Sequence, residues 1–311
     1  KYNSSRKKGE VFEIDYSDML YLPATMNLRC TKYKNILVDE VQDLNKCQAA
    51  IIKKIRAKES RLVVVGDPYQ SIYLFAGADT ESFESFGAAD GTKVLPLSVT
   101  YRCPIAVVEE ARKYCPTISH TPNAEQGYVG EGFIDEVEEG DAVLCRNNSP
   151  LFEAYLDFID DDKKAYIVGK DIQEKFDKLI HPYRNSHISS LMDSLRDGLD
   201  RLDDILKQKG VKKPENHPQY QSLSDISRAL SILASKSSDM NHLKRMITDI
   251  FCEKKDAIVM SSIHKSKGLE YDNVFLLRPD LLPSRFAKSE EELKQENNLL
   301  FVAITRAKKE F

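Results

Sequence analysis

Two adjacent acids, Asp39 and Glu40, directly follow the apolar residues Ile36, Leu37 and Val38. Strand-prone residues that run into acids predict a carboxylate pair at the C-terminal end of a buried strand, where parallel α/β sheets hold their ligands. In nucleotide hydrolases such a pair supplies a Mg²⁺ ligand, here Asp39, and a base for the attacking water, here Glu40. Both carboxylates are therefore candidate metal ligands. The alternative is an ordinary helix start.

A second polar segment follows the next predicted strand, where Gly66 and Pro68 bend the chain. Gln70 then lies near the acid pair if the two strands are neighbours. A neutral amide that can accept from water or donate to a phosphoryl oxygen suits a sensor of a γ-phosphate. Tyr73 and Phe75 are aromatics two positions apart and could stack on nucleic-acid bases. The alternative for these two rings is a place in the hydrophobic core.

Five segments, in this order, resemble motifs of the UvrD/Rep family of superfamily 1 DNA helicases. They are Asp39–Asp43 (motif II), Gly66–Tyr73 (motif III), Tyr101-Arg102 (motif IV), Ser262–Glu270 (motif V) and Leu300–Ala307 (motif VI). The resemblance implies an ATP-dependent DNA helicase that uses ATP and Mg²⁺. It further implies that ATP binds between two motor domains, whose closure moves single-stranded DNA.

The resemblance assigns roles to four residues of the later motifs. Arg102 and Arg306 reach the γ-phosphate from the second motor domain, with Arg306 as an arginine finger, a device worth roughly 10³–10⁵ in rate. The residue type fits, because a guanidinium presents forked donors to phosphoryl oxygens. Tyr101 stacks on the adenine, and Glu270 binds the ribose hydroxyls beside Gly268. From the residues alone, Glu270 could equally be a surface acid and Tyr101 a half-buried aromatic.

His264 and Lys265 lie in the segment that, in this family, touches single-stranded DNA. Imidazole and amine donors close to a glycine suit contact with backbone phosphates. A capped helix start is compatible with the same residues. The expected partners are single-stranded DNA and junctions between single- and double-stranded DNA, and the resemblance implies translocation from 3′ to 5′.

Short apolar runs alternate with helical patterns, which predicts parallel sheets. The predicted strands are Ile36–Val38, Leu62–Val65, Lys93–Leu97, Ala142–Cys145, Ala165–Val168, Ala257–Met260 and Val274–Leu277. Asn45 with Gln48, and Ser289 with Glu292, form the spacing of capping boxes and predict helix starts. From Ile188 to Leu206, apolar residues recur at four- and three-residue steps, which predicts one long amphipathic helix.

The predicted fold class is therefore α/β. We expect two RecA-like parallel-sheet motor domains, of which the first is incomplete, and an all-helical insertion in the second. The predicted boundaries are 1–95 for the C-terminal part of the first motor domain, 96–172 with 256–311 for the second, and 173–255 for the insertion. The alternative for the helical segment is a separate domain, against which only the return of strand signals at Ala257 argues.

The composition, 41% hydrophobic and 30% charged over 311 residues, allows two ordinary hydrophobic cores. Six scattered cysteines without a Cys-x-x-Cys pair predict reduced thiols in a cytoplasmic protein. The resemblance to DNA helicases implies that the protein is associated with the nucleoid when it is on DNA. The net charge of −4 is not that of a protein that coats nucleic acid, but it permits a local basic groove. Two basic runs, 53–61 and 207–213, are interpreted as solvated helix ends.

A helicase of this family needs a phosphate-binding loop of the form Gly-x-x-x-x-Gly-Lys-Ser/Thr. The 311 residues contain none, since the Gly169-Lys170 step is followed by Asp171 and has no upstream glycine at the required place. We therefore expect this polypeptide to be a fragment, and to show negligible ATPase activity alone. A different class of protein stays open as the alternative: a catalytically dead helicase-like scaffold that binds DNA or protein.

Overall fold

The computed structural model describes residues 14–74, 77 and 80–311. The chain divides into two compact units, the first ending at Pro96 and the second running from Leu97 to Phe311. None of the helices within the described residues is both long enough and apolar enough to cross a lipid bilayer.

The first unit is built on a pair of parallel strands with helices beside them. Its elements are α1 (Tyr16–Thr25), β1 (Tyr33–Val38), α2 (Lys46–Ile55), β2 (Arg56–Val64) and α3 (Thr80–Gly87). Ile36 pairs with Leu62 and Val38 pairs with Val64, so both strands end at the same edge. The predicted capping box is confirmed, because Asn45 and Gln48 exchange side-chain and backbone hydrogen bonds at the start of α2.

The second unit contains a five-stranded parallel sheet in the order β6-β7-β5-β8-β9. Its strands are β3 (Val99–Thr100), β4 (Ser119–His120), β5 (Ala142–Cys145), β6 (Ala165–Ile167), β7 (Ile258–Ser262), β8 (Tyr271–Leu277) and β9 (Ala307–Glu310); β3 and β4 form a separate parallel pair. All four residues of the central strand β5 are buried, as expected for a parallel sheet covered on both faces. The α/β class predicted from the sequence is thus confirmed.

The second unit also contains six α-helices of 11 or more residues, one α-helix of seven residues and one of four. They are α4 (Ile105–Ala111), α5 (Ser149–Asp160), α6 (Lys170–Ile180), α7 (Ile188–Gln208), α8 (Pro218–Ser235), α9 (Met240–Phe251), α10 (Ile263–Ser266) and α11 (Glu290–Ile304). The long amphipathic helix predicted around 188–206 is confirmed as α7. Gly210 follows it with φ +84°, the left-handed conformation that glycine adopts at helix ends.

The predicted strand Lys93–Leu97 is wrong, because this segment has no strand hydrogen bonds and pairing begins only at Val99. Val94, Leu95 and Leu97 are 71%, 69% and 88% exposed. An apolar run becomes a strand only where another strand accepts its backbone hydrogen bonds, and none of the described residues does so here.

Residues 173–255, all of them described, form helices and no strand. These helices share one hydrophobic core with the sheet. The rings of Phe152, Phe176 and Phe251, from α5, α6 and α9, lie with their centroids 5.4–6.0 Å apart. Asp225 on α8 accepts hydrogen bonds from the backbone N–H groups of Asn148 and Ser149 at 3.0 and 2.9 Å. The carboxylate thereby binds the N-terminus of α5, where the helix dipole favours negative charge.

Candidate functional site

The acid pair lies where the sequence predicts it, at the carboxyl end of β1. Asp39 and Glu40 are exposed, and the Asp39 Oδ1 accepts a hydrogen bond from the Glu40 N–H at 2.9 Å. Glu40 has φ +50° and ψ +42°, a left-handed conformation that is uncommon for residues other than glycine. Such backbone strain concentrates at functional sites, since the surrounding structure must enforce it.

Gln42 connects the two strand ends, a role that sequence reasoning missed although the residue lies inside the second motif. It is 1% exposed. Its Nε2 donates to the Glu40 carboxylate, and its Oε1 accepts from the Asp67 N–H at 3.0 Å. A Cβ at Gly66 would lie 2.4 Å from this Oε1, so a glycine is required for the close approach. The buried amide therefore orients the carboxylate of Glu40.

Gln70 is joined to this arrangement through Asp67. The Gln70 Nε2 donates to the Asp67 Oδ2 at 2.8 Å, and the other oxygen of Asp67 accepts from the Tyr69 N–H at 2.9 Å. Burial, and then the charges of Asp43 and Glu40, raise the pKa of Tyr73. The Tyr73 hydroxyl therefore also lies near the acid pair. Phe75 lies outside the described residues.

Three of the predicted nucleotide-site residues come together in the second unit. Tyr101, Arg102 and Glu270 line an open pocket with Thr100 and Lys308. Arg102 Nε donates to Glu270 Oε2 at 2.7 Å, and this hydrogen bond lowers the pKa of the Glu270 carboxyl. Tyr101 is 90% exposed at the pocket, so one face of its ring is available for stacking.

Arg306, the predicted arginine finger, is buried within the second unit and only 2% exposed. Its Nε donates to the Val302 carbonyl at 3.0 Å, its Nη1 to the Leu269 carbonyl at 3.0 Å, and its Nη2 to the Thr305 Oγ1 at 3.1 Å. The guanidinium thus binds the last turn of α11, where the helix dipole favours cations. Through Leu269 it also fixes the segment that presents Glu270.

His264 and Lys265 lie on α10, at the carboxyl end of β7. Lys265 forms an ion pair with Asp171 at the start of α6. Gly268 has φ +85°, so the chain beyond α10 needs a residue that tolerates the left-handed conformation. Of the predicted DNA-contact residues, Lys265 is thus already paired with an acid of the same chain.

An ion pair between the half-buried Arg146 and the buried Glu296, next to this segment, also escaped sequence reasoning. Arg146 follows β5 and binds Glu296 of α11 through three hydrogen bonds of 2.8–3.2 Å. Glu296 is 4% exposed and additionally accepts from the Ser284 N–H at 2.9 Å. The one available signal is that Glu296 shares the helix face of Leu299 and Ala303, where an acid is unexpected.

Burial, with the charge of Arg146 as the second cause, lowers the pKa of His264 to about 3. The folded protein therefore keeps this imidazole neutral, whereas the unfolded chain protonates it below about pH 6.5. Between these values the unfolded state binds more protons, so the stability contributed by neutral His264 is complete above pH 6.5 and is lost as the pH falls towards 3.

We expect His264→Gln to make stability less sensitive to acid, because glutamine does not titrate. The free energy of unfolding in urea, compared at pH 7.5 and pH 5.0, should fall by about 2 kcal/mol less in this variant than in the parent. His181→Gln, at an exposed histidine, is the matched control. Equal acid sensitivity of the parent and His264→Gln would contradict an imidazole that stays neutral in the folded protein.

The acid pair has the ligand chemistry that Mg²⁺ prefers. Within the described part of the chain, His, Cys, Asp and Glu side chains do not gather in groups of three or more that could hold a metal ion. Mg²⁺ nevertheless needs only one or two carboxylates when substrate phosphates and water complete its shell. Asp39 and Glu40, exposed at a strand end, fit that arrangement and not a closed protein cage.

The strained acid at the end of β1 and the Tyr-Arg-Glu pocket both belong to an α/β protein built on parallel strands. Residues 27–311 match the model of the UvrD-like helicase C-terminal domain. The chain belongs to this family of DNA helicases.

Several curated relatives are DNA helicases. F-box DNA helicase protein 1 of Schizosaccharomyces pombe is 26% identical over 94% of this chain and 35% of its own length. The mitochondrial ATP-dependent DNA helicase HMI1 of Saccharomyces cerevisiae is 29% identical over 76% of this chain and 32% of its own length. ATP-dependent DNA helicase PcrA of Staphylococcus epidermidis is 22% identical over 94% of this chain and 58% of its own length. The chain thus spans about a third of the first two relatives.

Proposed function

We propose that this chain forms the part of an ATP-dependent DNA helicase that holds the catalytic acids and a nucleotide pocket. Hydrolysis moves the protein along single-stranded DNA, from 3′ to 5′ as in the family it resembles. The main support is the grouping of Tyr101, Arg102 and Glu270 at one pocket. An aromatic ring, a cation and an acid are the side chains that a base, a phosphate and a ribose require.

In the first unit, Glu40 accepts a proton from the attacking water. The buried Gln42 amide keeps the Glu40 carboxylate in one orientation, which favours general-base catalysis. Asp39 would hold Mg²⁺ together with Glu40, and the ion, when bound, neutralises charge on the phosphates. Gln70, held by Asp67, senses the γ-phosphate with its amide.

In the second unit, Tyr101 stacks on the adenine, and Glu270, with Gly268 beside it, binds the ribose. Arg102 binds phosphate. Because Arg102 and Glu270 pair with each other at 2.7 Å, a nucleotide must replace this contact when it binds. Nucleotide binding thereby changes the partners of both side chains, which can couple the pocket to movement.

DNA contacts are proposed at Tyr73, Phe75, His264 and Lys265. Lys265 would exchange Asp171 for a backbone phosphate, and the neutral imidazole of His264 would donate one hydrogen bond. Residues 1–95 would belong to the first RecA-like motor domain, and 96–172 with 256–311 to the second. Residues 173–255 would be its helical insertion.

The proposed activity requires a phosphate-binding loop, which these 311 residues do not contain. We propose it for a protein in which this chain is joined to such a loop, and propose that the isolated chain is inactive. The missing motif also favours the second candidate, a helicase-like scaffold without catalysis. Tight binding of labelled ATP by the loop-containing protein distinguishes the two.

The finger role of Arg306 is tested with Arg306→Ala and Arg306→Lys in the loop-containing protein. We expect either change to lower DNA-stimulated ATP hydrolysis by roughly 10³-fold, since lysine lacks the forked donors. Affinity for single-stranded DNA should remain within a few-fold, as measured by fluorescence anisotropy.

Because the guanidinium also holds α11 and Leu269, the melting temperature must be compared for both variants. Arg112→Ala, at an exposed arginine of the same unit, is the control. A stable Arg306→Lys protein that hydrolyses ATP at the parental rate would remove the finger role.

A further inference from the structure

Exposed cations gather at the amino-terminal ends of β1 and β2 in the first unit. We call them the basic surface; they are Lys32, Lys34, Arg56, Lys58 and Arg61, all exposed. The candidate catalytic acids follow the carboxyl end of β1, so the basic surface lies at the opposite end of this strand pair. It is therefore separate from the site proposed for hydrolysis.

Strand pairing brings the two groups of cations together. Tyr33 pairs with Arg56 and Asn35 with Arg61, so two steps along β1 correspond to five along β2. The extra residues of β2, which include Lys58, form an irregularity that bends a strand outward. The sequence interpretation of this run as a solvated helix end is incomplete, because α2 ends at Ile55 and the remaining cations lie on the strand.

Within the described residues, acids do not form ion pairs with these cations. The side chains of Lys34, Lys58 and Arg61 have no hydrogen bond or ion pair with any residue that the structure describes. Among the residues that the structure describes, the Arg56 guanidinium donates only to the Ser60 hydroxyl, at 3.0 Å, and the Lys32 ammonium only to a backbone carbonyl. Glu59 is the one acid within 29–34 and 53–61, which contain eight lysines and arginines.

The second basic run, 207–213, is different. Lys207 forms an ion pair with Asp203, and Asp204 and Glu215 add to the negative surroundings that raise the pKa of Lys207. A run that is neutralised by its own acids fits a solvated helix end. A run left without counter-charges, in a chain of net charge −4, concentrates positive potential and attracts a polyanion.

The chemistry of the basic surface fits a phosphate backbone. Alternate residues of an extended strand lie roughly 6.6 Å apart, close to the roughly 6.8 Å of helix axis that two phosphates of one DNA strand occupy. Protein interfaces, by contrast, gain their energy from apolar anchors and are poor in lysine. The one aromatic side chain among these cations, Tyr33, is 50% exposed and can hydrogen-bond to a phosphate or sugar.

We propose that the basic surface binds the phosphate backbone of duplex DNA, as a contact additional to the one proposed at His264 and Lys265. The binding is independent of sequence and driven by counterion release, and it requires no nucleotide. Its effect is to hold the protein on DNA while the proposed motor site acts elsewhere.

The test uses the 311-residue chain without nucleotide and a fluorescein-labelled 20-base-pair DNA duplex. Binding is measured by anisotropy over a series of salt concentrations. Lys58→Gln/Arg61→Gln removes two unpaired charges without introducing new ones. We expect the slope of log Kobs against log[salt] to become shallower by about 2, and the affinity in 0.1 M salt to fall roughly tenfold or more.

Lys212→Gln/Lys213→Gln removes the same charge from exposed positions of the second run and should leave both quantities unchanged. The proposal would be overturned if both double variants lost DNA affinity equally, or if neither lost any. It would also be overturned if the basic surface bound poly-glutamate but not DNA. The variant Lys265→Gln separates this inference from the proposed function. If Lys265→Gln lost DNA affinity and Lys58→Gln/Arg61→Gln did not, DNA binding by the basic surface would be refuted, and the DNA contact proposed at Lys265 would stand. Circular dichroism melting confirms that each variant is folded.

Discussion

Glu40→Gln is expected to lower DNA-stimulated ATP hydrolysis by at least about 10²-fold in a protein that joins this chain to a phosphate-binding loop. That factor is the lower end for loss of a general base. Glutamine has the size of glutamate, and its amide oxygen still accepts the hydrogen bond from Gln42. The local backbone and the proposed Mg²⁺ ligand Asp39 are thus retained, and the glutamine oxygen can still contact the ion, so binding of labelled ATP should remain within a few-fold of the parent.

The measurements are steady-state turnover with saturating single-stranded DNA and equilibrium binding of labelled nucleotide. Glu59→Gln, at an exposed acid on β2 of the same unit, is the matched control and should have parental turnover. Turnover of Glu40→Gln within a few-fold of the parent would mean that another group activates the water. No turnover in the parent itself would favour the scaffold alternative.

Glu296→Ala is expected to destabilise the second unit by about 2 kcal/mol, because the half-buried guanidinium of Arg146 loses the carboxylate that compensates its charge. Arg146 loses three hydrogen bonds and the Ser284 N–H loses its acceptor. Urea unfolding of the 311-residue chain, followed by circular dichroism, measures the loss. Lys294→Ala, at an exposed position of the same helix, should change stability by less than about 0.5 kcal/mol.

The double variant Arg146→Met/Glu296→Leu separates the charge effect from simple loss of packing. Replacing both partners with apolar side chains removes the uncompensated charge, so much of the stability lost in Glu296→Ala should return. If Glu296→Ala were as stable as Lys294→Ala, solvent and not the Glu296 carboxylate would compensate the charge of Arg146. A double variant as unstable as Glu296→Ala would assign the loss to packing.

The local elements follow from neighbouring residues, and these predictions were largely confirmed. The capping boxes at Asn45 and Ser289 involve side chains three residues apart, so their geometry depends on only one helical turn. Likewise, the apolar run that ends at Val38 forms β1 and places Asp39 and Glu40 at its end. The prediction of a strand at Lys93–Leu97 was wrong, because a strand needs a partner strand and the apolar run itself does not specify one.

Among the candidate site residues, the sequence alone determined which side chains are chemically suitable and which strand ends present them. Only the tertiary structure decided their states. Gln42 bridges Glu40 to Asp67, Arg306 points inward, and Arg146 meets a buried acid on α11. The reason is physical: caps and strand patterns depend on residues within one or two turns, whereas burial and ion pairing depend on what folding brings within about 4 Å from anywhere along the chain.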